Sequence, residues 1–252
     1  MKKLPVFYLL LLLTFTYSCD KDDDEIIQTE FTGSKVNIGD GQAWSFIETN
    51  EAGDPIAIGV QFEADALVNL PSGSSHADEF VLSLPTEISV EPYDHITMDW
   101  NEHGHPPLMI YDLPHFDFHY YFMSDGERDA IGPFDTIQFD RPLDPEYLAP
   151  MYIETPGGVP RMGAHIIDGM SPEIAGTGIF THTFIYGKYD AKVNFLEPMV
   201  TKAFLESKSH VHQEIRRPQA YQTSGYYPGT YTIDYDADSK LYTVLLTDLV
   251  KY

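Results

Sequence analysis

Period-two alternation between His115 and Phe122 constrains this chain more than any other feature. On an extended strand His115, Asp117, His119 and Tyr121 fall on one face, and Phe116, Phe118, Tyr120 and Phe122 fall on the other. The aromatic face needs a core to pack against. The opposite face gathers imidazoles and a carboxylate, which are costly to bury unless they ligate a cation or hydrogen-bond. A helix would also align His115 with His119, but the density of aromatics favours a strand. One segment thus predicts a central β-strand and a polar face behind the core.

The rest of the chain reads as strands and turns. Lys35 to Asn50 and Pro55 to Glu63 flank a hairpin turn at Glu51-Ala52-Gly53-Asp54. Asp65 to Val68 is a short helical segment, and Phe80–Leu84 and Ile88–Val90 are short strands. Long ordered loops are expected where proline is frequent, from Pro106 to Pro160. Thr177–Tyr189 pairs with Lys192–Leu196 across Tyr189-Asp190-Ala191. Glu197-Pro198 ends that strand, and Met199–Ser207 fits a helix. Tyr231–Tyr235 and Leu241–Val250 form a C-terminal hairpin. The fold class is mainly β, a sandwich or open barrel of antiparallel strands, with a few short helices.

The N-terminus sets a different expectation. Lys2 and Lys3 precede an apolar run from Val6 to Phe15, too short to span a bilayer, and small or hydroxylated residues lead to Cys19. This order resembles a bacterial lipoprotein signal, with residues 1–18 removed and Cys19 diacylated, although Thr16 stands where leucine is usual. Residues 19–31 read as an acidic tether that cannot bury apolar area. Its Lys21 followed by acidic residues resembles the surface-export signal of Bacteroidetes lipoproteins. The expected location is the cell envelope: an outer-membrane lipoprotein, exposed at the surface, with the membrane as partner through the Cys19 lipid. Residues 32–252 are then a single mainly-β domain. Cys19 is the sole cysteine, so the body must be stabilised by packing without an internal disulfide. The net charge is −24, and losing Lys2 and Lys3 makes it more negative. Such a body repels phosphate backbones, so nucleic acid is excluded as a partner.

Chemistry concentrates around the histidines. Asp99-Trp100-Asn101-Glu102-His103-Gly104-His105 ends a strand in a tight loop, and Pro114-His115 opens the next. On one extended strand His115 and His119 lie about 13 Å apart, further than two ligands of one ion can reach. Either the strand is bulged near Pro114, or only one of the two shares an ion with His105. Neutral imidazoles with a carboxylate suit Zn, Fe, Mn, Ni or Cu. The competing account is a hydrogen-bonded network beneath a loop, with Asp117 orienting a histidine.

Three blocks carry a resemblance. They are Gly41-Gln42-Ala43-Trp44 through Gly59-Val60 to Leu70-Pro71; Asp94-His95 through Trp100-Asn101 and Gly104-His105 to Pro114-His115-Phe116-Asp117-Phe118-His119; and Pro160-Arg161-Met162-Gly163-Ala164-His165 with Phe195-Leu196-Glu197-Pro198-Met199. They resemble an uncharacterised family of secreted bacterial proteins, represented by an oligomeric, sigma-factor-controlled protein of a thermophile. The resemblance runs from about Gly33 to Leu205. It implicates His95, His105, His115, His119, His165 and Glu197, leaves His103 outside, implies a homo-oligomer, and supplies no activity.

The expected metal ligands are therefore His105, His115, His119, His165 and Glu197, with His95 and Asp117 in support. His105, His119, His165 and Glu197 should converge on one ion, with His115 in reserve and His103 pointing away. Glu197 has a second reading as a cap at a helix start. Two functions stay open. One is a cell-envelope lipoprotein with a His/Glu metal site acting on a small or extracellular ligand. The other is a non-catalytic surface binding or self-assembling protein whose histidines are structural.

Overall fold

The structure is a computed structural model that describes residues 29–74 and 76–252. The signal segment, Cys19 and the first ten residues of the expected tether lie outside the described residues. Thr29 to Phe31, expected in the tether, instead begin the fold. They belong to strand β1 (Thr29–Thr32), which pairs with β3 from Thr29↔Thr49 to Thr32↔Phe46.

In chain order the next strands are β2 (Val36–Ile38), β3 (Gly41–Thr49), β4 (Pro55–Glu63), β5 (Asp78–Ser83), β6 (His95–Asn101) and β7 (His115–Tyr121). They are followed by β8 (Tyr152–Glu154), β9 (Ala164–Asp168), β10 (His182–Tyr189), β11 (Lys192–Thr201) and β12 (Val211–Glu214). The chain ends with β13 (Tyr226–Tyr227), β14 (Thr230–Asp236), β15 (Leu241–Thr247) and β16 (Val250–Lys251). Among the described residues four short α-helices punctuate it, α1 (Asp125–Asp129), α2 (Thr136–Asp140), α3 (Pro172–Ala175) and α4 (Lys202–Glu206), with 3-10 turns at Ala64–Leu67 and Pro145–Tyr147. One sheet has the order β1-β3-β4-β15-β14-β12, with β2 on β3. A second has the order β5-β6-β7-β11-β10-β9-β8, and β13 pairs with β16 in a separate two-stranded sheet. Among the described residues all pairings are antiparallel, the arrangement is sandwich-like, and no barrel closes.

The core lies between the two sheets. From the second sheet it takes Ile96, Met98 and Trp100 of β6, Phe116, Phe118 and Tyr120 of β7, Leu196 and Val200 of β11, and Phe184 and Tyr186 of β10. The first sheet answers with Ile58, Val60 and Phe62, and with Ile233, Tyr242, Val244 and Leu246. Phe62 stacks on Phe118 at 6.0 Å, and Tyr120 donates its hydroxyl to the Val244 carbonyl at 2.9 Å. Each such side chain contributes about 1.5–3 kcal/mol by leaving water. The C-terminal hairpin β14–β15 lies beyond the reach of the family resemblance, yet it is central, since β15 pairs with β4 along its full length.

Period two then fixes the other face of the second sheet. With the aromatics of β7 inside, His115, Asp117, His119 and Tyr121 must face outward. The same holds for His95, Thr97, Asp99 and Asn101 on β6. This outer face is nevertheless buried throughout β6 and β7. Segments 102–114 and 169–181 help to roof it, bringing Tyr111 and Phe180 against His105 and His115.

Three expectations need correction. Ile88–Val90 is not a strand; it is irregular chain ahead of the turn at Glu91-Pro92 that leads into β6. Glu197-Pro198 does not end β11, which continues to Thr201, so the helix starts later, at Lys202 with Thr201 as its cap. Proline lacks an amide donor, and the ladder with β7 skips from Leu196↔Tyr120 to Met199↔Asp117, while pairing with β10 continues through Pro198↔Phe184. Glu197 is therefore a mid-strand residue and not a helix cap.

Candidate metal centre

The registry of β7, β11, β10 and β9 decides which side chains meet. Met199 lies directly across from Asp117, so Glu197, two residues away on β11, projects from the same face beside His119. His165 is on β9, with β10 between it and β11, and still reaches Glu197. The residue it crosses is Gly187, paired with both His165 and Phe195. A Cβ at Gly187 would stand 2.0 Å from the Phe195 ring. The missing side chain lets that ring settle edge-on to both His119 and His165, with centroids 5.0 and 5.5 Å away.

His119, His165 and Glu197 form one group, with ligand atoms all within 4.8 Å of one another. The Nε2 atoms of both histidines lie 3.6 Å from Glu197 Oε2. His119 Nε2 and both Glu197 oxygens are buried and have no hydrogen-bond partner. Behind this group His119 Nδ1 lies 3.0 Å from Asp99 Oδ2, and Thr97 donates its hydroxyl to the same carboxylate oxygen at 3.3 Å. A carboxylate on Nδ1–H fixes the tautomer that leaves Nε2 as a lone pair.

His105, His115 and Asp117 form a second group under the same criterion. His115 Nε2 stands 3.0 Å from Asp117 Oδ1 and His105 Nε2 stands 3.3 Å from Asp117 Oδ2. Asn101 donates to Oδ2 at 2.8 Å. The loop places His105 by folding back on itself. Its amide donates to the Tyr111 carbonyl at 3.0 Å, and Gly104 takes φ +66°, where a Cβ would stand 2.1 Å from that same carbonyl oxygen.

The expected single convergence of His105 with His119, His165 and Glu197 is thus divided. Three of the four meet, and His105 joins His115 and Asp117 instead. His115 and His119 do not share a group, as their spacing on one strand requires. Asp117, expected in support, is a member of the second group. His95, expected in support as well, has both nitrogens engaged: Nδ1 with Asp94 at 2.8 Å, and Nε2 accepting from Arg128 at 3.0 Å. Its ring stacks on Tyr121 at 5.0 Å. His103 is exposed and away from both groups. His182 faces the other way, with Nδ1 2.9 Å from the Tyr231 hydroxyl.

Asp99 was missed as a candidate, although the alternation of His95, Thr97, Asp99 and Asn101 with Ile96, Met98 and Trp100 is visible in the sequence. Arg128 was missed too. It is fully buried over the Tyr121 ring and pairs with Glu79 and Asp125. Only its capping-box helix is legible, with Ser124 and Glu127 capping each other.

Electrostatics bind protons where a cation is expected. Burial works against a charged His119, but the Glu197 charge and Asp99 hold its pKa up at about 9. Burial likewise opposes a charged His105, and Asp117 with the Pro106 carbonyl raises it to about 9. Burial pushes the Glu197 carboxyl up, against the pull of His119. Burial would raise Asp117 too, but His115 and His105 hold it well below the usual carboxylate range. His165 is driven down by burial and by the positive charge of His119 and His105. It is the imidazole of the first group already suited to donate a lone pair.

Comparison with known proteins adds one finding. A family model described as "TTHB210-like: Hypothetical protein TTHB210" matches residues 50–100. The matched stretch contains β4, β5 and all but the last residue of β6, including Asp99, and stops short of His105. It agrees with the uncharacterised family that the motifs resemble. No curated protein and no solved structure matches the chain.

Proposed function

We propose that this chain is a metalloprotein of the cell envelope, in which His119, His165 and Glu197 hold one divalent transition-metal ion. The observation that carries the reading is the convergence of three unpaired donors in a buried site: His119 Nε2 and both Glu197 oxygens have no partner, and His165 Nε2 approaches the same carboxylate. Leaving such atoms buried and unpaired costs roughly 1–3 kcal/mol each, more if charged. An ion removes that cost. Donors around an ion at about 2.0–2.1 Å stand about 3.3 Å apart in a tetrahedron, close to the 3.6 Å spacings seen.

Two imidazoles and one carboxylate leave coordination positions open, as catalytic zinc and non-haem iron sites do. An ion held there can acidify a bound water or polarise a ligand oxygen. Anchoring through a diacylated Cys19 and display at the cell surface belong to the same proposal, supported by the lipoprotein-like order of Lys2, Lys3, the apolar run and Cys19.

Elemental analysis of the purified protein, with Glu197→Gln beside it, tests the metal reading. Near-stoichiometric zinc, iron, manganese, nickel or copper that the variant loses is the expected result. A metal content equal in both proteins, or none after reconstitution with each ion, overturns it. Fractionation of Cys19→Ser tests the anchor separately: the variant should leave the membrane fraction.

A further inference from the structure

We infer that the outer face of the second sheet holds a second cation, bound by His105, His115 and Asp117 independently of the Glu197 group. The argument is one of tautomers. His115 Nδ1 lies 2.7 Å from the Leu113 carbonyl oxygen, and His105 Nδ1 lies 2.8 Å from the Pro106 carbonyl oxygen. A carbonyl oxygen only accepts, so each Nδ1 must carry the hydrogen. In the neutral rings both Nε2 atoms are then lone pairs. Both lie close to the oxygens of one carboxylate, 3.0 and 3.3 Å away.

Lone pairs turned toward a carboxylate repel unless a proton or a metal cation stands between them, and a divalent ion that binds there takes the place of the proton. The His115–Asp117 contact is not a hydrogen bond in disguise. Despite their 3.0 Å separation, His115 Nε2 and Asp117 Oδ1 are misaligned and both lack a partner, in a site where His115 is wholly buried. Two atoms that miss each other's hydrogen-bond line can still share a third point. Backbone carbonyls on the Nδ1–H groups and Asn101 on Asp117 Oδ2 supply the supporting hydrogen bonds that orient metal ligands.

The second group shares no residue with the first. Asp117 and His119 are two positions apart on β7, about 7 Å between Cα atoms, so the groups lie side by side. Their surroundings differ. Each group has one partly exposed imidazole, His165 at 20 % in the first and His105 at 30 % in the second, and His105 is carried by a loop where His165 is held in a strand. The second ion should therefore exchange faster. Its donor set, two imidazoles and one carboxylate, again selects a divalent transition metal over calcium or magnesium.

The test counts ions. The whole protein is stripped with chelator, reloaded with Co(II) or Zn(II), freed of excess metal and analysed for metal per chain. Two ions are expected in the parent, one after Asp117→Asn, one after Glu197→Gln and none in the double variant. His105→Ala guards against misfolding of the buried variant. This side chain is on a surface loop, and its loss should weaken one ion by at least about 100-fold while the stripped protein keeps a single cooperative melting transition. If the Glu197 reading alone fails, the parent binds a single ion that Glu197→Gln keeps and Asp117→Asn loses. An ion count and affinity left unchanged by both Asp117→Asn and His105→Ala overturn the second site.

Discussion

His115 Nε2 and Asp117 Oδ1 stand 3.0 Å apart, two residues from one another on a single strand, without forming a hydrogen bond. Their misalignment separates a liganding arrangement from a structural network. A network would have turned the ring until nitrogen, hydrogen and oxygen fell in line. Here the ring is held by the Leu113 carbonyl at its other nitrogen, and the carboxylate is held by Asn101. By contrast, the Asp94–His95–Arg128 chain is a network with every nitrogen of the imidazole engaged. Both arrangements occur on the same sheet face, which lets each serve as a control for the other.

Asp99→Asn should weaken the ion at the Glu197 group by roughly 10–100-fold, because the amide is a poorer acceptor for His119 Nδ1–H and a poorer electrostatic partner. Competition against a chelator of known affinity measures this. The Asp117 group should keep its affinity, as Asp99 contacts His119 and not His105 or His115. Equal affinity of parent and variant at both groups would remove Asp99 from the site.

Metal uptake should strengthen as pH rises toward 9. His119 and His105 both have pKa values near 9 in the metal-free protein and must lose a proton to bind an ion. Below that pH, affinity gains about tenfold per pH unit for each proton displaced. Stability of the stripped protein should run the opposite way. A raised folded-state pKa contributes stability that is fully present below the unfolded value, near 6.5 for histidine, and is lost as pH rises through 9. Glu197, also raised, acts in the same direction. Melting of stripped and loaded protein between pH 6.5 and 9 should thus diverge, the stripped form falling. Parallel curves would contradict the protonation assigned to the pair.

Much of this was legible in the residues, and what was not has identifiable causes. The alternation from His115 to Tyr121 names both the core face and the polar face, and the structure keeps both assignments. The hairpin around Gly53 and the C-terminal hairpin follow from turn chemistry in the same way. Glu197 was harder to place because Pro198 looks like a strand terminus. Only the registry with β10 shows that a missing amide is tolerated there. The assignment of His105 to the wrong partner has another cause. Which strand-borne histidine it meets depends on how segment 102–114 folds back, and the His105–Tyr111 backbone bond that decides it has no signature in side-chain type. His165 reaches its group across an intervening strand. That reach depends on Gly187, whose role is invisible until β10 is seen between β9 and β11.

Glu79→Gln should destabilise the fold by about 1.5–3 kcal/mol at neutral pH, because it weakens charge-assisted hydrogen bonds to Arg128 while Asp125 still pairs with that guanidinium. Glu79 binds both Arg128, which is fully buried, and Arg161 at 2.8 Å. Burial would raise its pKa, but the two guanidiniums hold it below the usual value. A depressed folded-state pKa gives stability that is present above about 4.5 and is lost as pH falls through the folded value. Denaturant midpoints should therefore differ widely at pH 7 and approach each other in acid. The number of ions bound should not change, since no ligand is altered, although Glu79 lies across from Asp99 in the register of β5 and β6. A variant as stable as the parent at pH 7 would show that Arg128 finds compensation elsewhere.

Two glycine substitutions separate the groups without touching a ligand. At Gly187 a methyl group would meet the Phe195 ring at 2.0 Å, so Gly187→Ala must displace that ring, and with it the packing that sets His119 and His165. At Gly104 a methyl group would meet the Tyr111 carbonyl oxygen at 2.1 Å on backbone with φ +66°, so Gly104→Ala must shift the loop carrying His105. Gly187→Ala should weaken the ion at the Glu197 group and spare the other. Gly104→Ala should do the reverse, at a lower cost in stability because its loop is at the surface. A displacement of 1 Å is large against a metal–nitrogen bond of about 2.0–2.1 Å, so the affected group should lose affinity by at least about tenfold. Cobalt absorption titrations on each variant read the two groups separately. Loss of both ions from either variant would mean that the two groups act as one centre.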